Sequence, residues 1–307
     1  MKKMVITGVN GFIGRHAKEY FEKEYEITGL DLAANYSGER EPDDTMTYYQ
    51  CNMSQESAEM AAIFTGVQPD VILHCAGSAN VGASVVNPMA DLDGNLHSLY
   101  QLLLALKSFE KRPEIIFLSS AGVYGNPRQL PVRESDVAAP MSPYGLHKHM
   151  GEELCEYYNR IHGYHIRSIR IFSAYGNGLR KQLLWDIYQK YQNTGRIELF
   201  GTGEETRDFI HVSDIMRAID LILSYDGPET VINVANGEEV SIRELAEIYA
   251  EKLGAPQNIV SFNGAVKEGD PRNWRADISL LRKLGYEKQM ELSDGIAAYV
   301  DWAKAQD

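Results

Sequence analysis

Tyr144 and Lys148, in the run Tyr144-Gly145-Leu146-His147-Lys148, stand four residues apart, a spacing that puts both side chains on one face of a helix. An ammonium beside a phenol favours the phenolate, so the pair is expected to lower the tyrosine pKa and make Tyr144 a general base near neutral pH. Ser120 is the third candidate, in Ser119-Ser120-Ala121-Gly122-Val123-Tyr124-Gly125. It lies just past an apolar run that reads as a central strand, where open α/β sheets place their ligands. Its hydroxyl can bond the oxygen from which a proton is taken.

Such a base is useful only beside a group that takes the electrons, and the start of the chain offers a place to hold one. Val5-Ile6-Thr7-Gly8-Val9-Asn10-Gly11-Phe12-Ile13-Gly14 sets three glycines three apart between a strand and a helix. Gly8 allows the tight turn, Gly11 lets the backbone approach a pyrophosphate, and Gly14 permits close helix packing, while the helix N-terminus supplies free N–H donors for the anion. The next strand ends at Asp31, 17 positions after Gly14. A carboxylate there accepts ribose hydroxyls and repels a 2′-phosphate, which favours NAD over NADP. Asn52 and Met53, at the end of the third strand, are expected to line the adenine pocket.

The elements that position these groups alternate. Short β-branched or apolar runs at Met4 to Thr7, Glu26 to Asp31, Met46 to Gln50, Val71 to Cys75, Ile115 to Ser119 and Ile166 to Ile171 are separated by amphipathic stretches. Repeated βα alternation implies a parallel sheet covered on both faces, and Val71-Ile72-Leu73 and Ile115-Ile116-Phe117-Leu118 are continuously apolar, as its central strands should be. Leu92 to Leu106 and Tyr144 to Tyr158 read as helices, the second entered through Ser142-Pro143. The polar stretch Ala33 to Thr45 reads as a loop. Beyond residue 172 the pattern mixes, with a further βα-like unit near Val212 to Val234 and helices at Ser241 to Leu253 and Leu292 to Ala305. The expected fold is α/β: a Rossmann doubly wound parallel sheet with a smaller, interleaved C-terminal α/β lobe. The expected division is a dinucleotide-binding domain over 1–172, with a returning segment at 212–236, and a substrate lobe from 173–211 and 237–307.

Composition removes other classes. The 307 residues hold 43 acidic against 30 basic side chains, a net charge of −13 that repels nucleic-acid phosphates, so any phosphate must be bound locally. No apolar run is long enough to span a membrane, and Met1 to Thr7 passes directly into a strand, which points to the cytoplasm. Cys51, Cys75 and Cys155 are scattered and read as reduced, packed thiols. His147 and His149 flank Lys148, and His162 and His165 sit at a helix end; without a third regularly spaced ligand they read as solvated or capping histidines, and no metal is expected. The pairs Tyr48-Tyr49 and Tyr157-Tyr158 read as core or interface.

Taken together, the glycine turn, the Ser-Ser strand end and the Tyr-Lys pair resemble the extended short-chain dehydrogenase/reductase family, the nucleotide-sugar epimerases and dehydratases. Later runs extend the resemblance over nearly the whole chain: His74-Cys75-Ala76-Gly77, Asn87-Pro88 with Asn95, Arg170-Ile171-Phe172-Ser173-Ala174-Tyr175-Gly176, Arg207-Asp208-Phe209-Ile210-His211-Val212 with Asp214, and Gly269-Asp270-Pro271-Arg272. The resemblance implies that Gly8, Gly11, Phe12, Ile13, Gly14, Asp31, Leu32, Asn52, Met53, Cys75, Ala76, Gly77, Asn95, Tyr144, Lys148 and Phe172 bind NAD. It implies catalytic roles for Ser120, Tyr144 and Lys148. It assigns the nucleotide-diphosphate sugar to Ser120, Ser173, Arg180, Arg207, Lys267, Asp270 and Arg272, with Arg207 on the diphosphate. It also implies a homodimer through the long helices at about 89–110 and 144–162.

Departures from the family pattern refine the chemistry. Family members that eliminate water carry an acid directly after the catalytic Ser or Thr, whereas this chain has Ala121 and Gly122, which argues against a 4,6-dehydratase and a decarboxylase. Ser173 stands where simple epimerases often have Asn, and Lys267 where the family has Arg, a point charge in place of a bidentate fork; both bear on substrate choice. Arg180 and Lys181 add two cations that either join the phosphate contacts or form a solvated helix start. The expected reaction is epimerisation at C4 of a nucleotide hexose through a 4-keto intermediate, in carbohydrate metabolism and polysaccharide biosynthesis. The alternatives are an NAD(P)-dependent nucleotide-sugar dehydrogenase or 4-keto-6-deoxy-sugar reductase, and a non-enzymatic NAD-responsive binding protein.

Overall fold

The structure is a computed structural model that describes residues 1–37, 46–55, 58–265, 269 and 271–306. Lys267, Asp270 and most of the 33–45 loop lie outside the described residues. The six expected strands and the expected helix at Tyr144 follow the sequence pattern, and the first-half elements are β1 Lys2–Thr7, α1 Phe12–Phe21, β2 Tyr25–Asp31, β3 Met46–Gln50, α2 Ala58–Val67, β4 Val71–His74, α3 Val81–Val86, α4 Pro88–Leu92, α5 Ser98–Ala105, β5 Glu114–Ser120, α6 Pro143–His162 and β6 His165–Ile171. The strands form one sheet in the order β3-β2-β1-β4-β5-β6, with Val231–Val234 as a seventh strand beside β6. β1 pairs in parallel with both β2 and β4, and β4 with β5. The chain therefore reverses direction of winding between β1 and β4, and a doubly wound sheet takes its ligand at that switch point, at the carboxyl ends of the strands.

The continuously apolar strands are buried on both faces. Every residue of β4 is buried, and Ile115, Ile116 and Phe117 of β5 are fully enclosed. Val5, Leu30, Ile72, Leu99, Leu102, Ile115 and Phe117 belong to one core cluster, in which each fully buried Leu or Phe contributes roughly 1.5–3 kcal/mol.

The expected helix over 92–106 is not one regular helix. Between α4 and α5 the chain makes a π-helical turn over Asp93–His97. The wider turn changes the rotational register, and the polar residues Asp91 and Asn95 are both buried.

Clustering of contacts divides the chain into two compact units: Met1–Val123 with Ser142–Arg170 and Ile222–Ile232, and Tyr124–Met141 with Ile171–Leu221 and Asn233–Asp307. The expected division differs in three places, since Tyr124–Met141, residues 171–172 and, from the 212–236 segment, residues 212–221 and 233–236 group with the second unit. Hydrogen bonds explain the first: the Tyr124 hydroxyl donates to Asn233 Oδ1 (2.7 Å), Trp274 Nε1 to the Gly125 carbonyl (2.9 Å), and Val132 bonds through its backbone to Arg275 and Asp277 (2.8 Å each). The remaining elements are β7 Ser173–Tyr175, α7 Gln182–Thr194, β8 Ile197–Leu199, β9 Thr206–Arg207, β10 Phe209–His211, α8 Val212–Leu223, β11 Val231–Val234, β12 Val240–Ser241, α9 Ile242–Leu253, β13 Val260–Phe262, α10 Ser279–Lys283 and α11 Leu292–Lys304. They form three two-stranded pairs, β7 with β10, β9 with β12 and β8 with β13. Tyr188, Tyr249 and Tyr299 are fully buried within this unit.

Candidate active site

The glycine turn is built as its spacing implies. Gly8, at φ +66°, donates its N–H to the Leu30 carbonyl at 2.7 Å, and Gly11 closes the turn back onto the Gly8 carbonyl at 2.9 Å. A Cβ on Gly8 would stand 2.7 Å from the Ala76 nitrogen, and one on Gly14 only 2.3 Å from the Gly8 carbonyl oxygen, so neither position accepts a larger residue without moving backbone. The first contact puts the turn after β1 directly against Cys75 and Ala76 after β4, at the switch point. Thr7 joins them: its hydroxyl accepts from the Ala76 N–H (3.2 Å) and bonds His74 Nδ1 (2.8 Å). Burial and the nearby Lys148 charge push the His74 ring down to about 3, so it stays neutral. Helix α1 begins at Gly11 with no side-chain cap and no acid in its first turn, which leaves the amides around Phe12 and Ile13 free for an anion.

At the end of β2, Asp31 Oδ2 accepts the Asn10 amide at 2.9 Å and Oδ1 the Ala33 amide at 3.3 Å. Leu32 beside it is exposed. Asn10 is a hub that the glycine spacing does not announce: its side chain donates to the Asn35 carbonyl (3.0 Å) and Tyr48 hydroxyl (3.1 Å) and accepts from Ser37 (2.7 Å). It ties the segment after β2 to the glycine turn. Asn52 receives the amide and hydroxyl of Ser54 (3.2 and 2.9 Å), and Met53 is buried next to it.

Ser120, Tyr144 and Lys148 come together in the first unit. The Ser120 hydroxyl accepts the Gly122 amide at 3.1 Å, which starts the short turn at Ala121–Tyr124. Ser142 caps α6 by accepting the Gly145 amide at 3.1 Å, Pro143 takes the first helical position, and the Tyr144 amide bonds Ser84 Oγ at 3.1 Å. Tyr144 is 8% exposed and Lys148 5%; the ammonium lies 5.0 Å from the Phe117 ring centre and 5.9 Å from that of Tyr144. Behind Ser120, the Ser119 hydroxyl donates to Glu152 Oε1 at 2.5 Å, and Arg170 grips the same carboxylate with Nε at 2.9 Å and Nη2 at 2.7 Å. This buried clamp fixes the end of β5 against α6, one turn past the lysine.

Electrostatically the pair departs from expectation. Burial pushes the Tyr144 phenol up to about 12, against a hydrogen bond with Ser120 that lowers it, and burial drives Lys148 down to about 8, against the Asp91 charge that raises it. Desolvation outweighs the expected activation of the phenol by the ammonium, and by itself the protein holds both groups toward their neutral forms. The histidine expectation is also corrected for His147: it is buried, with Nδ1 at 2.6 Å from Asp91 Oδ2, neither solvated nor capping. His162 and His165 are exposed. Among the described residues no group of three His, Cys, Asp or Glu could hold a metal ion.

The other substrate candidates lie in the second unit. Arg207 Nη1 donates to the Thr206 carbonyl (2.8 Å) and the Arg272 carbonyl (3.2 Å), and its guanidinium sits 5.4 Å from the Trp274 ring centre. Arg207 and Arg272 are thus neighbours. Ser173 opens β7 with its amide on the Asp208 carbonyl (2.9 Å), and Phe172 is buried against Tyr124 and Trp274. Arg180 is engaged on its own surface, over Trp302 and bonded to Gln306.

A model described as the NAD dependent epimerase/dehydratase family matches residues 4–235. The chain belongs to that family. A Methanocaldococcus jannaschii protein provisionally named a UDP-glucose 4-epimerase is 30% identical over 314 residues, 98% of each chain. The UDP-glucuronate 4-epimerase of Thermodesulfobacterium geofontis is 29% identical over 98% of this chain and 95% of its own. Among solved structures, the UDP-glucuronic acid 4-epimerase of Bacillus cereus, in complex with UDP-glucuronic acid and NAD, superposes with a TM-score of 0.89 at 26% identity, covering 99% of this chain and 100% of that one. The cofactor of the family is NAD, and the residues present fit it: Gly8, Gly11 and Gly14 leave a cradle that side chains would fill, Asp31 stands beside the turn at the end of β2, and the fully buried Asn95 Oδ1 has no hydrogen-bond partner among the described residues.

Proposed function

We propose that this chain is an NAD-dependent 4-epimerase of a UDP-sugar, a hexose or hexuronate, with Tyr144 as the base at the C4 hydroxyl. The observation that carries the reading is the half-buried Ser120 with the buried Tyr144 and Lys148 at the carboxyl end of β5, in a family whose relatives of nearly equal length are named as 4-epimerases. When bound, NAD supplies the hydride acceptor and a positive charge near the phenol. Tyr144 takes the hydroxyl proton, and Ser120 holds the oxygen from which it leaves. Lys148, on the same helix face, stabilises the phenolate, and the enclosure of both side chains keeps water from the exchanging proton. With Ala121 and Gly122 after Ser120, no carboxyl group follows the strand end to drive elimination. Arg207 and Arg272, brought together in the second unit, are assigned to the diphosphate, and Ser173 to the sugar. A freely exchanging reductase is not favoured by these relatives.

The proposal includes a homodimer. Leu146, Met150, Tyr157 and Ile161 recur at helical spacing along α6 and are 41–54% exposed, an apolar stripe that a second copy of the same helix would cover. The reaction is placed in the cytoplasm, where nucleotide sugars and NAD are available, and in the supply of sugars for polysaccharide. Incubating the purified protein with UDP-glucose, UDP-glucuronic acid or UDP-N-acetylglucosamine should interconvert one of them with its C4 epimer without added cofactor. The Tyr144→Phe variant should lose about 10²–10⁴-fold in rate. Failure on every sugar, or steady accumulation of NADH, would overturn the reading. Light scattering reads the dimer.

A further inference from the structure

The pair formed by Asp91 and His147 is not used by the chemistry above, yet it lies inside the same wall of the first unit. Asp91 lies in the last turn of α4, Asn95 sits in the π turn, and His147 is on α6 between Tyr144 and Lys148. All three are buried, with Asn95 wholly enclosed. One Asp91 oxygen, Oδ1, takes Asn95 Nδ2 at 3.1 Å, and the other, Oδ2, takes His147 Nδ1 at 2.6 Å. An ionised carboxylate only accepts, so the Asn95 amide must turn its NH₂ toward Asp91 and the His147 ring must put a proton on Nδ1. The other end of the amide is then decided. Asn95 Oδ1 faces away from Asp91 with no partner among the described residues, next to the loop after β4, where a Cβ on Gly77 would stand 2.5 Å from it.

We propose that Asp91, clamped by His147, is a positioning residue that fixes the polarity of the Asn95 amide so that its carbonyl oxygen meets a hydroxyl donor of bound NAD. The inference rests on the reading that NAD occupies the glycine cradle. The geometry makes each part necessary. Without Asp91 the amide is free to flip and present an NH₂ where an acceptor is needed; without His147 the carboxylate loses its second anchor. Residues 91 and 95 are four apart, the spacing that sets two side chains on one helix face, and here that face is buried.

The test is a double-mutant cycle on NAD affinity, read by fluorescence titration of protein stripped of cofactor, for the wild type, Asp91→Asn, Asn95→Ala and the double variant. Losing a well-made hydrogen bond to a buried acceptor is expected to weaken NAD about tenfold in each single variant. Because Asp91 acts through Asn95, the double variant is expected to bind no more weakly than Asn95→Ala alone. Losses that multiply, or an Asp91→Asn variant that binds like the wild type, would overturn the proposal. If Asp91→Asn does not fold, the His147 pair decides: His147→Gln, which keeps a donor, should bind NAD within about threefold of wild type, and His147→Ala about tenfold more weakly. Equal affinities in the two would equally overturn it. A wild-type protein that binds no NAD would instead remove the cofactor reading itself, and this inference with it.

Discussion

Replacing Gly14 by alanine separates the fold from the cofactor site. The added Cβ would lie 2.3 Å from the Gly8 carbonyl oxygen, 2.8 Å from Val9 Cα and 3.0 Å from the Gly8 carbonyl carbon. Ordinary contact begins near 3.4 Å, so the turn must open by about 1 Å, and every atom in the way is backbone. Two terms nearly offset in the folded protein. Overpacking of this kind costs about 1–3 kcal/mol, while alanine in place of glycine inside a helix contributes about 1 kcal/mol. The net loss of stability is therefore small, about 0–2 kcal/mol, readable by urea unfolding. NAD affinity responds far more. Opening the turn displaces the Phe12 and Ile13 amides assigned to the pyrophosphate, and hydrogen bonds to charged groups are worth about 1.5–3 kcal/mol, so binding should fall about tenfold to a hundredfold. Gly163→Ala is the control: it has φ +64° and nothing within 4 Å of its Cβ, so it should cost about 1 kcal/mol of strain and leave NAD affinity unchanged. Gly14→Ala binding NAD as tightly as wild type would refute the cradle geometry.

Two further outcomes follow from buried charges. Lys148→Met removes the cation proposed to stabilise the Tyr144 phenolate, 5.9 Å from its ring centre, so the rise of kcat with pH should move to higher pH; an unmoved midpoint would show that the lysine does not act on the phenol. Asp208 accepts the amides of Asn236 (2.9 Å), Gly237 (3.0 Å) and Ala276 (3.0 Å), yet burial still raises it from 3.8 to about 7. The folded state thus holds this proton more tightly than the unfolded chain. Its contribution is present in full below pH 3.8 and is lost as pH rises through about 7. Relative to Asp208→Asn, the wild type should lose stability across that window in urea titrations at stepped pH, and a constant difference would contradict it.

What the sequence disclosed is what is local. The Gly8–Gly14 turn, Ser142 and Pro143 at the start of α6, and the apolar runs of β4 and β5 are set by backbone conformation and periodicity within a few residues, and each stands where the pattern implies. The resemblance carried the family and the cofactor. What it did not disclose joins distant residues. Asp91 and His147 are 56 positions apart, and Ser119 and Glu152 are 33 apart; a histidine on its own offers no sign of a buried carboxylate partner. The π turn at Asp93–His97 inserts a wider turn into a stretch whose apolar spacing reads as a regular helix. Tyr124–Met141 groups with the second unit through Asn233, Trp274 and Arg275, contacts from residues more than a hundred positions away. Lys148 stands near Tyr144 as the spacing implies, but burial, which spacing does not reveal, pushes the phenol up.

The central claim is that hydrogen leaves C4 of a UDP-sugar and returns to the same carbon within one active site. A UDP-sugar carrying deuterium at C4, followed by NMR to epimeric equilibrium in ordinary water, tests it most directly. The account predicts that both epimers keep the label at C4, because only the hydroxyl proton passes through Tyr144. Loss of deuterium to solvent, or its appearance at another carbon, would contradict it.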